Sequence, residues 1–230
     1  MTRRVQKLML TDHHCHILPG IDDGSDSVDT SLQMIKTMKE QGVERIVATS
    51  HFYAHREKSV SSFIEKRKNA YDKLVQADPA NKDILLGAEV AVEHGISRLE
   101  GIENLRIADT KYILLEFQYT SFAPWMLEEV NDIAYEYGLT PILAHIHRYL
   151  EYYSRSEIEE VLRAEAVLQF NNEAFESFKE KRFVKSLIKE GYPYVFGSDS
   201  HNMRSRKPNW DVLQKKAKPD VIDGVADIFE

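Results

Sequence analysis

The chain is short of the features that would place it in several broad classes. It holds one cysteine, Cys15, in 230 residues, so no internal disulfide can form, and that usage suits a reducing compartment. No uninterrupted apolar stretch reaches the roughly 18 residues a membrane helix needs. The start (Thr2, Arg3, Arg4, Val5, Gln6, Lys7) is basic, but the apolar run after it is too short and too soon polar for a signal-peptide core. A soluble, cytoplasmic protein with no membrane insertion is expected. Long Lys/Arg runs are absent and the formal net charge is -7, which argues against a general nucleic-acid binder. Repeats, low-complexity tracts, obvious linkers and a Gly-rich nucleotide fingerprint are also missing. What is present is 43% hydrophobic residues, enough to bury a full core in one domain spanning residues 1–230.

Short apolar runs alternate with helical patterns along that length. The runs Leu8–His16, Arg45–Ser50, Ile84–Val90, Tyr112–Phe117, Pro141–His147, Ala166–Phe170 and Tyr194–Asp199 read as strands. Between them lie amphipathic stripes. Val28, Leu32, Ile35 and Met38 follow Asp26 or Ser27 as N-cap and stop at Gly42. Val60, Phe63, Ile64, Tyr71, Leu74 and Val75 end at Asp78-Pro79. Leu127, Val130, Ile133, Ala134 and Tyr137 end at Gly138, and Phe175, Phe178, Val184, Leu187 and Ile188 end at Gly191. Such stripes are read as core. Strand and helix in alternation predict parallel strands with crossover helices. Without a nucleotide fingerprint, a (β/α) barrel is favoured over an open sheet. The tail from Lys207 to Glu230 gives the weakest pattern.

The polar residues are placed unusually for such a pattern. Asp12-His13-His14-Cys15-His16 closes the first run, and period-2 alternation turns Asp12, His14 and His16 to one face. His51 comes directly after the second run, Glu89 and Glu116 lie in the third and fourth, His145 ends Pro141-Ile142-Leu143-Ala144, and Asp199 and His201 end the last. Taken singly, each has an ordinary reading: a histidine bonded to a carbonyl, a glutamate paired with a lysine. Together they fall at strand ends, which in a parallel barrel open onto the face where sites are built. A carboxylate such as Glu116, set between Leu115 and Phe117, is costly to bury unpaired, and a metal resolves that cost. Mixed imidazole and carboxylate ligands suit Mn²⁺, Fe²⁺ or Zn²⁺. The set is too large for one ion, which implies two or three.

These segments, with Ile21-Asp22-Asp23-Gly24, Ala144-His145-Ile146-His147-Arg148 and Ser205-Arg206, resemble the PHP (polymerase and histidinol phosphatase) metallohydrolases. Within that family the chain is most similar to the bacterial manganese-dependent protein tyrosine phosphatases of the capsule and exopolysaccharide type. The resemblance implies a distorted (β/α)₇ barrel and three divalent ions, Mn²⁺ first, with Fe²⁺ or Zn²⁺ as alternatives. Carried over, His14, His16, Glu89 and Asp199 hold one ion. Glu89 bridges to a second, shared with Glu116 and His145. Asp23, His51 and His201 hold the third, with Asp22 assisting. Arg148 and Arg206 match the phosphate-binding arginines. His147 departs from the pattern, standing where relatives often carry an acidic residue.

The expected chemistry is hydrolysis of phosphotyrosine by a metal-activated hydroxide attacking phosphorus in line. The implied partner is an autophosphorylating bacterial tyrosine kinase of polysaccharide export. Phenol leaves readily, with a pKa of about 10, so a general acid matters less. Thiolate catalysis is excluded, because the position six residues after Cys15 holds Ile21 and not the arginine of a Cys-based phosphate loop. Two alternatives stay open: a histidinol-phosphatase-like enzyme for small phosphomonoesters, and a non-catalytic PHP module. Aromatics near the mouth (Phe52, Tyr53, Tyr119, Phe122, Trp125) would favour a flat phosphotyrosine. His13 and Cys15 are expected to pack, and His94 to lie on the surface.

Overall fold

The computed structural model describes residues 9–229. Leu8, expected to open the first strand, the basic segment before it and Glu230 lie outside the described residues.

Helices form where a capping side chain is followed by one apolar stripe. In α1 (Val28–Glu40) the Ser27 hydroxyl accepts from the Thr30 amide, and Met34, Ile35 and Met38 are buried. Ser59 does the same for α2 (Val60–Ala77), which buries Val60, Phe63, Ala70 and Leu74 and stops at Asp78-Pro79. Pro124 opens α3 (Pro124–Tyr137), which buries Met126, Val130 and Ile133. The short α4 (Arg155–Val161) is an addition to the expected helices and begins at a capping box of Ser154 and Glu157. Ser177 caps α5 (Phe178–Glu190), and the chain turns at Gly191, whose φ of +89° L side chains rarely adopt. Two members of this last stripe depart from the expectation: Phe175 is buried in the core as expected but belongs to a 3₁₀ turn, Asn172–Phe175, and Phe178 is 84% exposed. The tail folds as α6 (Trp210–Lys216) and α7 (Pro219–Asp223). No helix among the described residues is long and apolar enough to cross a membrane.

The strands are β1 (Thr11–Cys15), β2 (Arg45–Ala48), β3 (His51–Phe52), β4 (Leu85–Leu86), β5 (Glu89–Ala91), β6 (Tyr112–Glu116), β7 (Thr140–Leu143), β8 (Val167–Asn171) and β9 (Tyr194–Gly197). Every pairing between them is parallel. The parallel α/β class is as expected. The ladders, however, fall into two sheets, β1-β2-β4 and β3-β5-β6-β7-β8-β9, and do not trace one regular seven-stranded ring. The reason is that two expected strands, Arg45–Ser50 and Ile84–Val90, are each interrupted. At the second break the Gly87 carbonyl is taken at 2.8 Å by the guanidinium of Arg67, a buried residue of α2.

Backbone bonds still cross both breaks: Gly87 N to Ala48 O (2.9 Å) and Glu89 N to Ser50 O (3.1 Å). On the far side Asp199 N donates to His14 O (2.7 Å) and His16 N to Ser200 O (2.9 Å), which seats the segment after β9 beside β1. Gly197 makes that approach possible, since a Cβ there would lie 2.5 Å from His14 Cβ. Because all pairings are parallel, the C-terminal strand ends share one side of the molecule.

Candidate metal centre

All nine side chains expected as ligands meet at those strand ends. Eight of them form three groups, the ligand atoms of each within 4.8 Å of one another: His14, His16, Glu89 and Asp199; His16, Asp23, His51 and His201; and His51, Glu89 and Glu116. The first group matches the expected quartet. The others differ in that His16 and His51 each serve two groups. His145 stands outside all three groups, yet its Nε2 adjoins them, 2.8 Å from Glu89 Oε1 and 3.4 Å from Glu116 Oε1.

The residues fit divalent cations, as their own polar atoms show. Glu89 Oε2 has His14 Nε2, His51 Nδ1 and His16 Nε2 at 3.1, 3.1 and 3.2 Å, yet none meets it in hydrogen-bond geometry. Asp199 Oδ1, His51 Nδ1 and His201 Nε2 are likewise buried without a hydrogen-bond partner among the described residues. These four buried oxygen and nitrogen atoms, brought together yet left without a hydrogen-bond partner, are arranged for a third body.

The neighbouring bonds fix the tautomers that coordination needs. Gln169 Oε1 accepts from the His145 backbone N–H at 2.6 Å, so the His14 Nδ1 facing the same oxygen at 3.1 Å must donate. That leaves the Nε2 lone pair of His14 for the cluster. Likewise His16 Nδ1 donates to Asp22 Oδ2 at 2.9 Å, and His201 Nδ1 to the Asp199 carbonyl at 3.0 Å. Asp22 is thus placed for the assisting role, and Asp23 reaches the groups themselves.

The electrostatics call for positive charge. Burial works against a charged His16, but Asp22, Asp199 and Glu89 outweigh it and raise its pKa well above the imidazole value. Burial also opposes ionised Glu89 and Asp199, yet the histidines around them hold both carboxyls well below their ordinary range, with Arg148 helping at Asp199. A divalent ion would replace the protons this pocket otherwise gathers. Two of the candidate positions also carry unusual backbone: His145 at φ +29° and Asp199 at φ +48°, conformations that persist only where the surroundings over-determine them.

Arg148 and Arg206 border the same cleft, a cavity of about 500 Å³. Arg148 Nη1 and Arg206 Nη2 both lie 2.7 Å from Asp199 Oδ2. Of the aromatics expected at the mouth, Tyr53 and Tyr119 line the cleft and Tyr152 joins them. Phe52 is buried against Phe63, Phe122 packs on Tyr153, and Trp125 stacks on His94. His13 packs as expected: its ring stacks on Phe229 and its Nδ1 bonds the Phe196 carbonyl at 3.0 Å. His147 is buried and joins none of the groups; burial and the Arg148 charge keep it neutral.

Asp12 does not share the cluster with His14 and His16, although alternation points it the same way. Its Oδ2 accepts the Trp210 indole N–H at 2.7 Å, and its Oδ1 the Ser198 amide at 2.9 Å. It ties β1 to α6 and to the chain after β9. Gln169, Asn171 and Glu173 do not stand out in the sequence. The cost of burial, which draws attention to Glu116, applies equally to Gln169 between Leu168 and Phe170, and is the signal that could have found it.

A family model described as capsular polysaccharide synthesis, CpsB/CapC, matches residues 10–225. The tyrosine-protein phosphatase CpsB of Streptococcus pneumoniae is 30% identical over 231 aligned residues, covering 90% of each chain. The tyrosine-protein phosphatase YwqE of Bacillus subtilis is 25% identical over 202 residues, 86% of this chain and 79% of YwqE. A crystal structure from work on YwqE and CpsB, described there as unique metal-dependent tyrosine phosphatases, superposes with a TM-score of 0.76 at 24% identity. The superposition covers 93% of this chain and 90% of that one, which shows a shared fold.

Proposed function

The chain belongs to the CpsB/CapC family of capsular polysaccharide synthesis, and on that premise we propose that it is a metal-dependent protein tyrosine phosphatase. The observation that carries the reading is the convergence of unpartnered imidazole nitrogens and carboxylate oxygens beside two arginines in one cleft. Relatives that are tyrosine-protein phosphatases support it. The ligands are His14, His16, Asp23, His51, Glu89, Glu116, His145, Asp199 and His201. They hold three ions, Mn²⁺ in preference to Fe²⁺ or Zn²⁺. Bound there, such ions supply Lewis acidity and charge neutralisation to a phosphate ester.

The chain's own groups do the rest. Gln169 and Asp22 orient His14 and His16. The guanidinium groups of Arg148 and Arg206 offer paired N–H donors to phosphate oxygens, whose charge must be neutralised in the transition state. Tyr53, Tyr119 and Tyr152 give the mouth aromatic walls suited to a flat phosphotyrosine ring. Cys15 takes no part as nucleophile: burial pushes its thiol up, and Sγ bonds the Val47 carbonyl at 3.3 Å. The whole chain is one domain working in the cytoplasm, and its substrate is an autophosphorylated tyrosine kinase of polysaccharide export.

The test is phosphate release from a phosphotyrosyl peptide and from histidinol phosphate, side by side, with EDTA and with added Mn²⁺. Mn²⁺-dependent turnover of the peptide is the expected result. Preference for histidinol phosphate would replace this reading with that of a small-phosphomonoester enzyme.

A further inference from the structure

Strand β8 differs from its neighbours: its end supplies none of the nine candidate ligands, yet its residues Gln169 and Asn171 are fully buried polar side chains. With Glu173, two residues further on, they form a rail of hydrogen bonds along the site. Gln169 meets His14 and the His145 amide, and its own amide donates to Asn171 Oδ1 at 2.8 Å. Asn171 Nδ2 donates to Asp199 Oδ2 at 3.0 Å and to Glu173 Oε1 at 2.9 Å. Glu173 Oε1 then accepts from Arg148 Nη2 at 2.6 Å.

Arg148 is therefore gripped by two carboxylates, Glu173 on Nη2 and Asp199 on Nη1. Asp199 is a shared resource. Its Oδ1 faces His14 and His16, and its Oδ2 also takes Arg206 and Asn171. Glu173 pairs with no other cation among the described residues, and Asn171 and the 3₁₀ turn Asn172–Phe175 hold it in place. A long, flexible arginine gains from such an anchor, because its planar fork must be aimed to bind a phosphate bidentately. As a contribution to stability alone, an ion pair with both side chains 30% exposed is worth little.

We propose that Glu173 is a positioning residue, one that sets the Arg148 guanidinium for the phosphate group of the substrate. The assignment rests on the phosphatase reading of the cleft. It is tested by calorimetric titration of the Mn²⁺-loaded protein with inorganic phosphate, which requires no turnover. Glu173→Ala should weaken phosphate binding about 10–100-fold, the range typical of residues that orient a site's first contacts, while metal content and the melting curve stay as in wild type. Glu173→Gln, which keeps an oxygen for Nη2, should recover part of the loss. In an Arg148→Ala background, Glu173→Ala should add nothing further, since the two act as a unit. Unchanged binding in Glu173→Ala, or an equal loss in both backgrounds, would overturn the assignment. If phosphate binding shows the expected pattern while wild type fails to hydrolyse the phosphotyrosyl peptide, the tyrosine phosphatase reading falls and the role of Glu173 stands.

Discussion

Replacing Asp22 by asparagine removes one charge and no bulk, and its effect can be worked from three contacts. Asp22 Oδ2 accepts from His16 Nδ1 and from the His51 backbone N–H, both at 2.9 Å, and Oδ1 accepts from the Gly24 N–H at 2.9 Å. All three partners donate, and two are amides that cannot change role. An asparagine has one accepting oxygen. If that oxygen faces Gly24, the new NH₂ faces His16 Nδ1, which must then accept. The His16 proton moves to Nε2, and the lone pair aimed at the metal groups is lost. If the oxygen faces His16 and His51, the NH₂ opposes the Gly24 N–H, an unpaired clash of about 1–3 kcal/mol in the loop that carries Asp23. Both outcomes weaken coordination. Losses at such positions are about 10–100-fold, or about 1.4–2.8 kcal/mol. Calorimetric Mn²⁺ titration of Asp22→Asn against wild type measures this directly, and affinity within about twofold of wild type would refute the tautomer argument.

Three further outcomes rest on particular contacts. Gly197→Ala places a Cβ 2.5 Å from His14 Cβ and 2.8 Å from His14 N, so it should lower the melting temperature and metal content together; a variant that keeps both would show that β1 can yield without moving His14. Burial lowers the His13 pKa to about 4. Folding thus favours neutral His13, and the stability this brings is complete above about pH 6.5 and lost as pH falls toward 4, amounting to about 2 kcal/mol by pH 5. Denaturant melts at pH 7 and pH 5 should show a smaller acid loss in His13→Gln than in wild type, and equal losses would count against it. Cys15→Ser should keep turnover within about threefold of wild type, since serine can still donate to the Val47 carbonyl; complete loss of phosphate release in a folded, metal-loaded Cys15→Ser protein would restore the thiol as nucleophile.

The parts of this molecule legible in the sequence are those set by short-range periodicity. Alternation brings His14 and His16 to one face, and the cap residue Ser27 starts a helix at the head of its apolar stripe. The carboxylates of Glu89 and Glu116 betray themselves by standing in apolar runs. What escaped depends on partners far along the chain. The break at Gly87 is made by Arg67 from a helix, and nothing within Ile84–Val90 announces it. Asp12 reads as a third member of the His14 face until Trp210, 198 residues on, takes its oxygen. The sharing of His16 and His51 between groups depends on how β1 and β3 approach in space, which spacing does not encode. Glu173 lies in a turn, where an acidic residue is unremarkable until Arg148 is seen against it.

Whether the three groups of imidazoles and carboxylates are metal sites is tested most directly by anomalous diffraction from Mn²⁺-soaked crystals, recorded on both sides of the manganese edge. Peaks are predicted within coordinating distance of His14/His16/Glu89/Asp199, His16/Asp23/His51/His201 and His51/Glu89/Glu116. Manganese absent from all three, with these side chains still buried and facing one another, would contradict that identification.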